Sequence, residues 1–304
     1  MTQSYNAGLH RFAIFTAGWT LFLLVAGALV TSNDAGLSVP DWPLSYGSLF
    51  PPMVGGIFFE HGHRMVATLA GIFTIILTVW IARRESRRWV RYLGWSALGA
   101  VIAQGLLGGL TVRFLLPIPV SVAHACLAQA FFCAVVSLAL ITSRWWQSEL
   151  PQIEDSRSPR LHTWALLTVG AAFLQLILGA TYRHKGLDIL PHIVGAAVVL
   201  FMATWTTRAI RKRFSGVPGL RRPAMALATL VGIQILLGAG AFWARVVTRS
   251  APQPMPEMVW STVVHLAVGA LTLACAVVLT LCSYRLVPRV SALHPAASQE
   301  RAAL

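Results

Sequence analysis

The chain has 304 residues, of which 56% are hydrophobic and only 11% are charged, and its formal net charge is +14. A soluble domain of this length would carry about a quarter charged residues, so too few polar side chains exist here to cover a water-exposed surface. The composition therefore excludes an ordinary soluble protein and favours a chain solvated by the lipid bilayer. Because the basic residues fall in short clusters between apolar runs, they indicate membrane topology, and we expect no nucleic-acid partner.

Stretches of about 20 mostly apolar residues, the length that crosses a bilayer as a helix, recur along the chain. The first is too long for the apolar region of a signal peptide, so we expect it to be retained as a helix. The sequence predicts an all-α, polytopic membrane protein with eight transmembrane helices. The predicted spans are 12–31, 62–82, 92–112, 121–142, 163–182, 190–208, 224–244 and 259–282.

Basic residues mark one side of the predicted membrane protein. Arg and Lys cluster after the second, fourth and sixth spans, whereas the segment 32–59 contains none. Because basic residues resist translocation, the clustered connectors are expected in the cytoplasm. Both termini are therefore predicted to be cytoplasmic, in a bacterial inner membrane.

A polar connector at 143–162 divides the chain into two halves of four spans each. We predict an N-terminal four-helix bundle at 1–142, this cytoplasmic linker, and a C-terminal four-helix bundle at 163–285. The segment 286–304, rich in proline and small polar residues, is predicted to be a disordered tail.

An internal repeat supports this division. Segments of the form Gln-x-x-x-Gly end the third, fifth and seventh spans, at 104–108, 175–179 and 234–238, and a weaker version lies at 25–28. Each is followed by an outer loop and then by a helix that carries a histidine. The repeat predicts two duplicated four-helix bundles, as in some transporters, and its small residues would let neighbouring helices approach closely.

Histidines near the outer ends of the even-numbered spans are the main candidates for function, because ionisable residues inside a membrane are costly and usually functional. One such histidine would more often be a hydrogen-bonded packing residue. Histidine pairs on facing helices form a bis-imidazole site that suits haem iron, whereas zinc would require three or four clustered ligands. We therefore predict one haem site in each half. The four histidines are His63, His124, His192 and His265.

One local motif resembles a known family. The residues Glu60-His61-Gly62-His63-Arg64, after a loop that contains Pro40-Asp41-Trp42-Pro43, are similar to the corresponding segment of haem A synthases. The likeness extends over essentially the whole chain. Members of this family are oxidoreductases that convert the C8 methyl group of haem O into the formyl group of haem A, which is used by terminal oxidases.

The resemblance implies a role for each site residue. His63 and His124 would be the axial ligands of the substrate haem in the first half, with Arg64 beside it, and Glu60 would be catalytic. In the second half, His192 and His265 would be the axial iron ligands of a haem b cofactor. Several bacterial members carry a cysteine pair in the first outer loop, and residues 32–59 contain no cysteine, so a mechanism using that pair does not apply here.

The residues by themselves leave two roles open for Glu60. It lies one helical turn before His63, on the same helix face, where a carboxylate could relay a proton or orient water. It could equally form a helix-surface ion pair with Arg64, four residues further on. The two roles are compatible, since Arg64 would keep the carboxylate ionised.

Two other functions fit parts of the sequence. A dihaem b-type electron carrier explains all four histidines but not the single Glu60, and a transporter explains the repeat but predicts helices broken near the bilayer midplane. The expected partners of a synthase are haem O, membrane lipid, haem O synthase, an electron-transfer protein and a second copy of the chain. The haem sites are expected near the periplasmic side.

Overall fold

The computed structural model describes residues 5–287, which fold into helices joined by loops. Eight helices in this range are long and apolar enough to cross a membrane, which confirms the predicted all-α, polytopic fold. The helices are α1 (Ala7–Ser32), α2 (Gly55–Arg84), α3 (Arg88–Arg113), α4 (Ile118–Ile141), a short α5 (Arg144–Gln147), α6 (Leu161–Arg183), α7 (Leu190–Arg213), α8 (Pro218–Val247) and α9 (Pro256–Leu286).

Several helices begin earlier than the apolar pattern predicts. Glu60 and His63 do not open α2 but lie in its second and third turns, because the helix starts at Gly55. Likewise, α4 and α9 carry a proline at their first positions, where its fixed φ suits a helix start. The histidines therefore lie inside the helices, where the surrounding backbone holds their side chains.

The long helices pack as two rings. In the first, α1, α2, α3 and α4 each contact the next helix, and α1 closes against α4. In the second, α6, α7, α8 and α9 do the same, and α6 closes against α9. The rings meet where α1 and α4 contact α9 and where α4 contacts α6. A duplicated bundle requires this arrangement, and superposition of 12–142 on 163–282 stays the prediction that tests it.

The connector between the rings packs against the end of α9. The amide of Ile153 donates to the carbonyl of Leu286 over 2.9 Å, and the Arg285 guanidinium donates to the carbonyl of Ser148 over 2.8 Å. The buried Asp155 carboxylate accepts the amide of Leu161 at the start of α6. The connector therefore ties the first ring to the second. Nearly all of the predicted disordered tail lies outside the described residues.

Candidate functional site

All four predicted haem-ligand histidines lie against a glycine of the preceding long helix. A Cβ atom placed on that glycine would lie between 2.7 and 3.4 Å from the ring's Cε1 atom. At three of the four positions this distance is 3.0 Å or less, which a close-packed interior does not tolerate, so glycine is what lets those imidazoles lie on the helix backbone. We call these glycines the shelf glycines. The pairs are Gly27 with His63, Gly108 with His124, Gly179 with His192 and Gly238 with His265.

The four rings also share a free nitrogen. Within residues 5–287, the buried Nδ1 atom of each of these histidines has no hydrogen-bond partner. An unsatisfied polar atom in a protein interior costs free energy, so a repeated one calls for an explanation. Imidazoles that coordinate a metal are the explanation that the shared geometry favours.

The second pair has the spacing of two ligands of one iron. The ring centroids of His192 and His265 are 6.2 Å apart, and the ring planes cross at 80°. Imidazole–metal bonds are about 2 Å long, so two rings on opposite sides of one metal have centroids about 6 Å apart. The described residues contain no group of three or more His, Cys, Asp or Glu side chains placed to hold a metal ion. The pair therefore fits a bis-histidine haem.

Glutamines of the repeat hold the second pair in place. The Gln175 side-chain amide donates to the backbone carbonyl of His192 over 2.9 Å. Gln234 makes the same bond to His265 over 3.0 Å. In both cases the amide nitrogen is also 3.4 Å from the Nε2 atom of the imidazole. The Gln-x-x-x-Gly segment therefore contacts its histidine at both the backbone and the ring.

The first pair lies beneath a loop. His63 and His124 lie near enough to interact electrostatically. Residues 33–54, which we call the outer cap, lie across the outer end of the first ring. The Trp42 side chain of the cap packs so closely on Gly109 of α3 that a Cβ there would be 2.7 Å from it. On the other side, residues at the start of α2 bind the cap.

Glu60 is one of the residues that bind the outer cap. Its side chain is buried, with the residue only 4% exposed. One carboxylate oxygen, Oε2, accepts the amide of Val39 over 2.8 Å. The other, Oε1, accepts from the Arg64 guanidinium over 2.6 Å. The predicted ion pair between Glu60 and Arg64 is thus present, and the second oxygen serves the cap.

Arg64 and His61 complete this attachment. The Nη1 atom of Arg64 donates to the carbonyls of Asp41 and Leu44, each over 2.8 Å. The Nδ1 atom of His61 is 2.8 Å from the Ser45 hydroxyl. In this structure Arg64 therefore binds the cap and Glu60, and its predicted role in binding substrate haem stays a prediction.

The cap also has an internal fold of its own. The Asp41 carboxylate accepts the amides of Tyr46 and Gly47 over 2.6 and 2.8 Å, and the Tyr46 hydroxyl donates to the carbonyl of Ser38. The bond from Gly47, helped by that from Tyr46 and by the charge of Arg64, holds the pKa of Asp41 below its usual value. The cap is therefore held in a defined conformation by its own hydrogen bonds. It connects α1 with α2, the two helices that carry Gly27 and His63.

The sequence of the chain is similar to those of known proteins. Residues 53–188, which include Glu60, His63 and His124, match the model of the cytochrome oxidase assembly protein family. A haem A synthase of Symbiobacterium thermophilum is 27% identical over 75% of this chain and 84% of its own length. The chain is therefore similar in sequence to haem A synthases. Those of Lysinibacillus sphaericus and Shouchella clausii are 30% and 31% identical, over 60% and 59% of this chain and 60% of each relative.

Sequence reasoning identified the histidines but not what surrounds them. It assigned the small residues of the repeat to helix packing in general, whereas the structure shows them directly beneath the imidazoles. The signal for this was that each repeat segment is followed by an outer loop and then by a helix that carries a histidine. The role of His61 and Ser45 in holding the cap had no comparable signal, because the cap has no repeated counterpart.

Proposed function

We propose that this protein is a haem A synthase that oxidises the C8 methyl group of haem O to a formyl group. The observation that supports it most is the pair of matching histidine sites at one end of the helices, in a chain homologous to haem A synthases. The relatives do not favour the dihaem electron carrier. The product, haem A, would serve terminal oxidases.

We propose different occupants for the two histidine pairs. His192 and His265 would hold a haem b cofactor, because their spacing fits one iron and two glutamines fix their helices. His63 and His124 would hold the iron of the substrate haem beneath the outer cap. Haem iron supplies the redox chemistry that oxidation of an unactivated methyl group needs and that protein side chains lack.

Glu60 is the proposed catalytic group of the first site. It lies one turn from His63 on the same face of α2, and oxidation of a methyl group releases protons that a nearby carboxylate can accept. The ion pair with Arg64 holds Oε1 of that carboxylate in a fixed direction. The outer cap would exclude bulk water from the reacting group.

The same proposal implies a membrane location, a topology and partners for the chain. The chain would lie in a bacterial inner membrane with both termini in the cytoplasm, so that the histidine ends of the helices face the periplasm. An electron-transfer protein would receive the electrons, and haem O synthase would supply the substrate. A homo-oligomer is also proposed.

Haem analysis tests this function directly. A host that makes haem O but no haem A would express the chain, and its extracted haems would be separated by chromatography. We expect haem A to form with the unaltered chain and with Glu257→Gln, a matched change of an exposed carboxylate at the outer end of α9. If the protein is abundant and folded but the extract contains only haem O and haem b, the proposal is contradicted.

A further inference from the structure

A single arginine connects the two rings at their outer end. Arg183 is the last residue of α6, and its side chain reaches to α1 in the other ring. There its Nη2 atom donates to the carbonyl of Ala28 over 2.9 Å and to the hydroxyl of Ser32 over 2.8 Å. One guanidinium group thus holds two helices that belong to different halves of the molecule.

The two ends of this contact lie directly behind the two histidine sites. Ala28 follows Gly27, the shelf glycine of His63. Arg183 itself lies one turn after Gly179, the shelf glycine of His192. A shift of α6 relative to α1 would therefore move one shelf glycine relative to the other. The Arg183 contact opposes that shift, together with the packing of both helices on α4 and α9.

Arg183 also brings charge to the second site. It interacts electrostatically with His265 and with Asp34, and its side chain is partly buried. A buried charge is costly unless other groups compensate it. Here the acceptors on α1 and the Asp34 carboxylate do so, which keeps a full positive charge next to the second histidine pair.

We propose that Arg183 is a positioning residue that couples the two histidine pairs. It ties the outer end of α6 to α1, and its charge contributes to the electrostatic potential at the His192–His265 pair. This deepens the proposed function and rests on it, because it treats the second pair as a haem site. A positive charge favours the reduced form of a nearby iron, so Arg183 raises the reduction potential of a haem held there. The contact with α1 matters because small displacements at a reacting centre lower rates strongly.

The charge and the contact with α1 can be separated by substitution. Arg183→Gln removes the charge and the contact with α1, whereas Arg183→Lys keeps the charge and loses the forked geometry. Arg249→Gln, at an exposed arginine in the next outer loop, is the control for a general loss of outer charge. The measurements are the midpoint potential of the bis-histidine haem, by spectroelectrochemical titration, and the melting temperature of the haem-free protein.

We expect Arg183→Gln to lower both the potential and the melting temperature, and Arg183→Lys to lower the melting temperature with a potential near that of the unaltered chain. Ser32→Ala removes one acceptor on α1 and keeps the charge, so it should lower the melting temperature alone. Should Arg183→Gln fail to accumulate, Arg183→Lys and Ser32→Ala still test the contact between α6 and α1.

The coupling is overturned if Arg183→Gln has the same midpoint potential and melting temperature as Arg249→Gln. It is also overturned if Ser32→Ala and Arg183→Lys have the melting temperature of the unaltered chain. Failure of the proposed function looks different: His192→Ala and His265→Ala would then retain the bis-histidine spectrum.

Discussion

The two histidine sites have the same arrangement of imidazoles on glycines, but they differ in the side chains and loops around those imidazoles. In both, imidazoles lie on shelf glycines with their Nδ1 atoms free of partners among the described residues. In the second site, glutamines bind the backbone of both histidines, and the adjoining loop, 184–189, is short. In the first site, Leu23 of α1 stands where α6 has Gln175, and the long outer cap covers the helix ends. This difference supports the proposal that the second site holds a resident cofactor and the first site a substrate.

Removing a ligand of the second site should have the largest effect. His192→Ala or His265→Ala is expected to abolish the low-spin haem b spectrum, because neither remaining imidazole can complete a bis-histidine site alone. Difference spectra of purified protein would show this. Unchanged haem content and spectrum in both variants would refute the assignment, and His184→Ala, at a neighbouring loop histidine that is not a proposed ligand, is the matched control.

The next largest effect is expected at Glu60, where binding and catalysis should separate. Glu60→Ala should lower haem A formation by about 10² to 10⁴, the usual contribution of a general acid–base group, while the second site keeps its haem. Glu60→Gln keeps the size and one acceptor for Val39 but loses the charge that pairs with Arg64. Haem analysis of membranes at matched protein levels measures both.

Glu60→Gln also decides between the two roles of this carboxylate. Normal haem A production by this variant would remove the proton-accepting role and leave only attachment of the outer cap. A loss of activity together with faster proteolysis of 33–54 would instead show that the cap had been released.

A shelf glycine should be less sensitive than a ligand but still specific. Gly179→Ala places a methyl group 2.7 Å from the His192 ring, and such overpacking typically costs about 1–3 kcal/mol. Gly170→Ala is the matched control on the same helix, because nothing lies within 4 Å of its added Cβ. The melting temperature and the haem content of the two variants would be compared. Equal values would contradict the claim that His192 requires a glycine at position 179.

The glutamines should have a smaller effect. Gln175→Leu makes the α6–α7 hairpin resemble the α1–α2 hairpin of the first site, and loss of one hydrogen bond typically costs about 0.5–1.5 kcal/mol. We expect haem to dissociate a few times faster, measured by transfer to an apo-globin acceptor. A dissociation rate equal to that of the unaltered chain would show that the glutamine does not distinguish the sites.

The smallest effect concerns the pH dependence of the outer cap. Because the pKa of Asp41 is lowered in the folded cap, its carboxylate contributes stability above its ordinary pKa, and that contribution is lost as the pH falls through the lower, folded value. Proteolysis of 33–54 should therefore increase at acid pH. Asp41→Asn should be cleaved faster at neutral pH and show less change on acidification; an unchanged pH profile would contradict this.

The sequence was a good guide wherever a pattern repeats. Apolar spans, the Gln-x-x-x-Gly segments and the four histidines each recur, and repetition allowed each of them to be recognised without coordinates. The start of α2 was placed too late, at residue 62, because Glu60 and His61 before it are polar. In the structure the helix begins at Gly55, and these two side chains bond to the outer cap from within it.

Features that occur once could not be predicted in this way. The contacts of Trp42 with Gly109 and of Arg183 with Ala28 join residues far apart in sequence. Neither has a counterpart in the other half that would reveal it. Such contacts depend on how complete helices pack, which no local pattern of residue types specifies.

The outer cap also bears on how this protein meets its substrate. With Trp42 against α3 and Gly36 against Leu116 of the next loop, the cap separates the first site from the aqueous side. The proposed substrate is a largely apolar porphyrin that dissolves readily in lipid, so we propose that it enters the first site from the bilayer. The quantity that governs saturation is therefore the mole fraction of substrate in the bilayer. A KM expressed per volume of buffer should change whenever the amount of lipid or detergent changes, whereas one expressed per lipid should not.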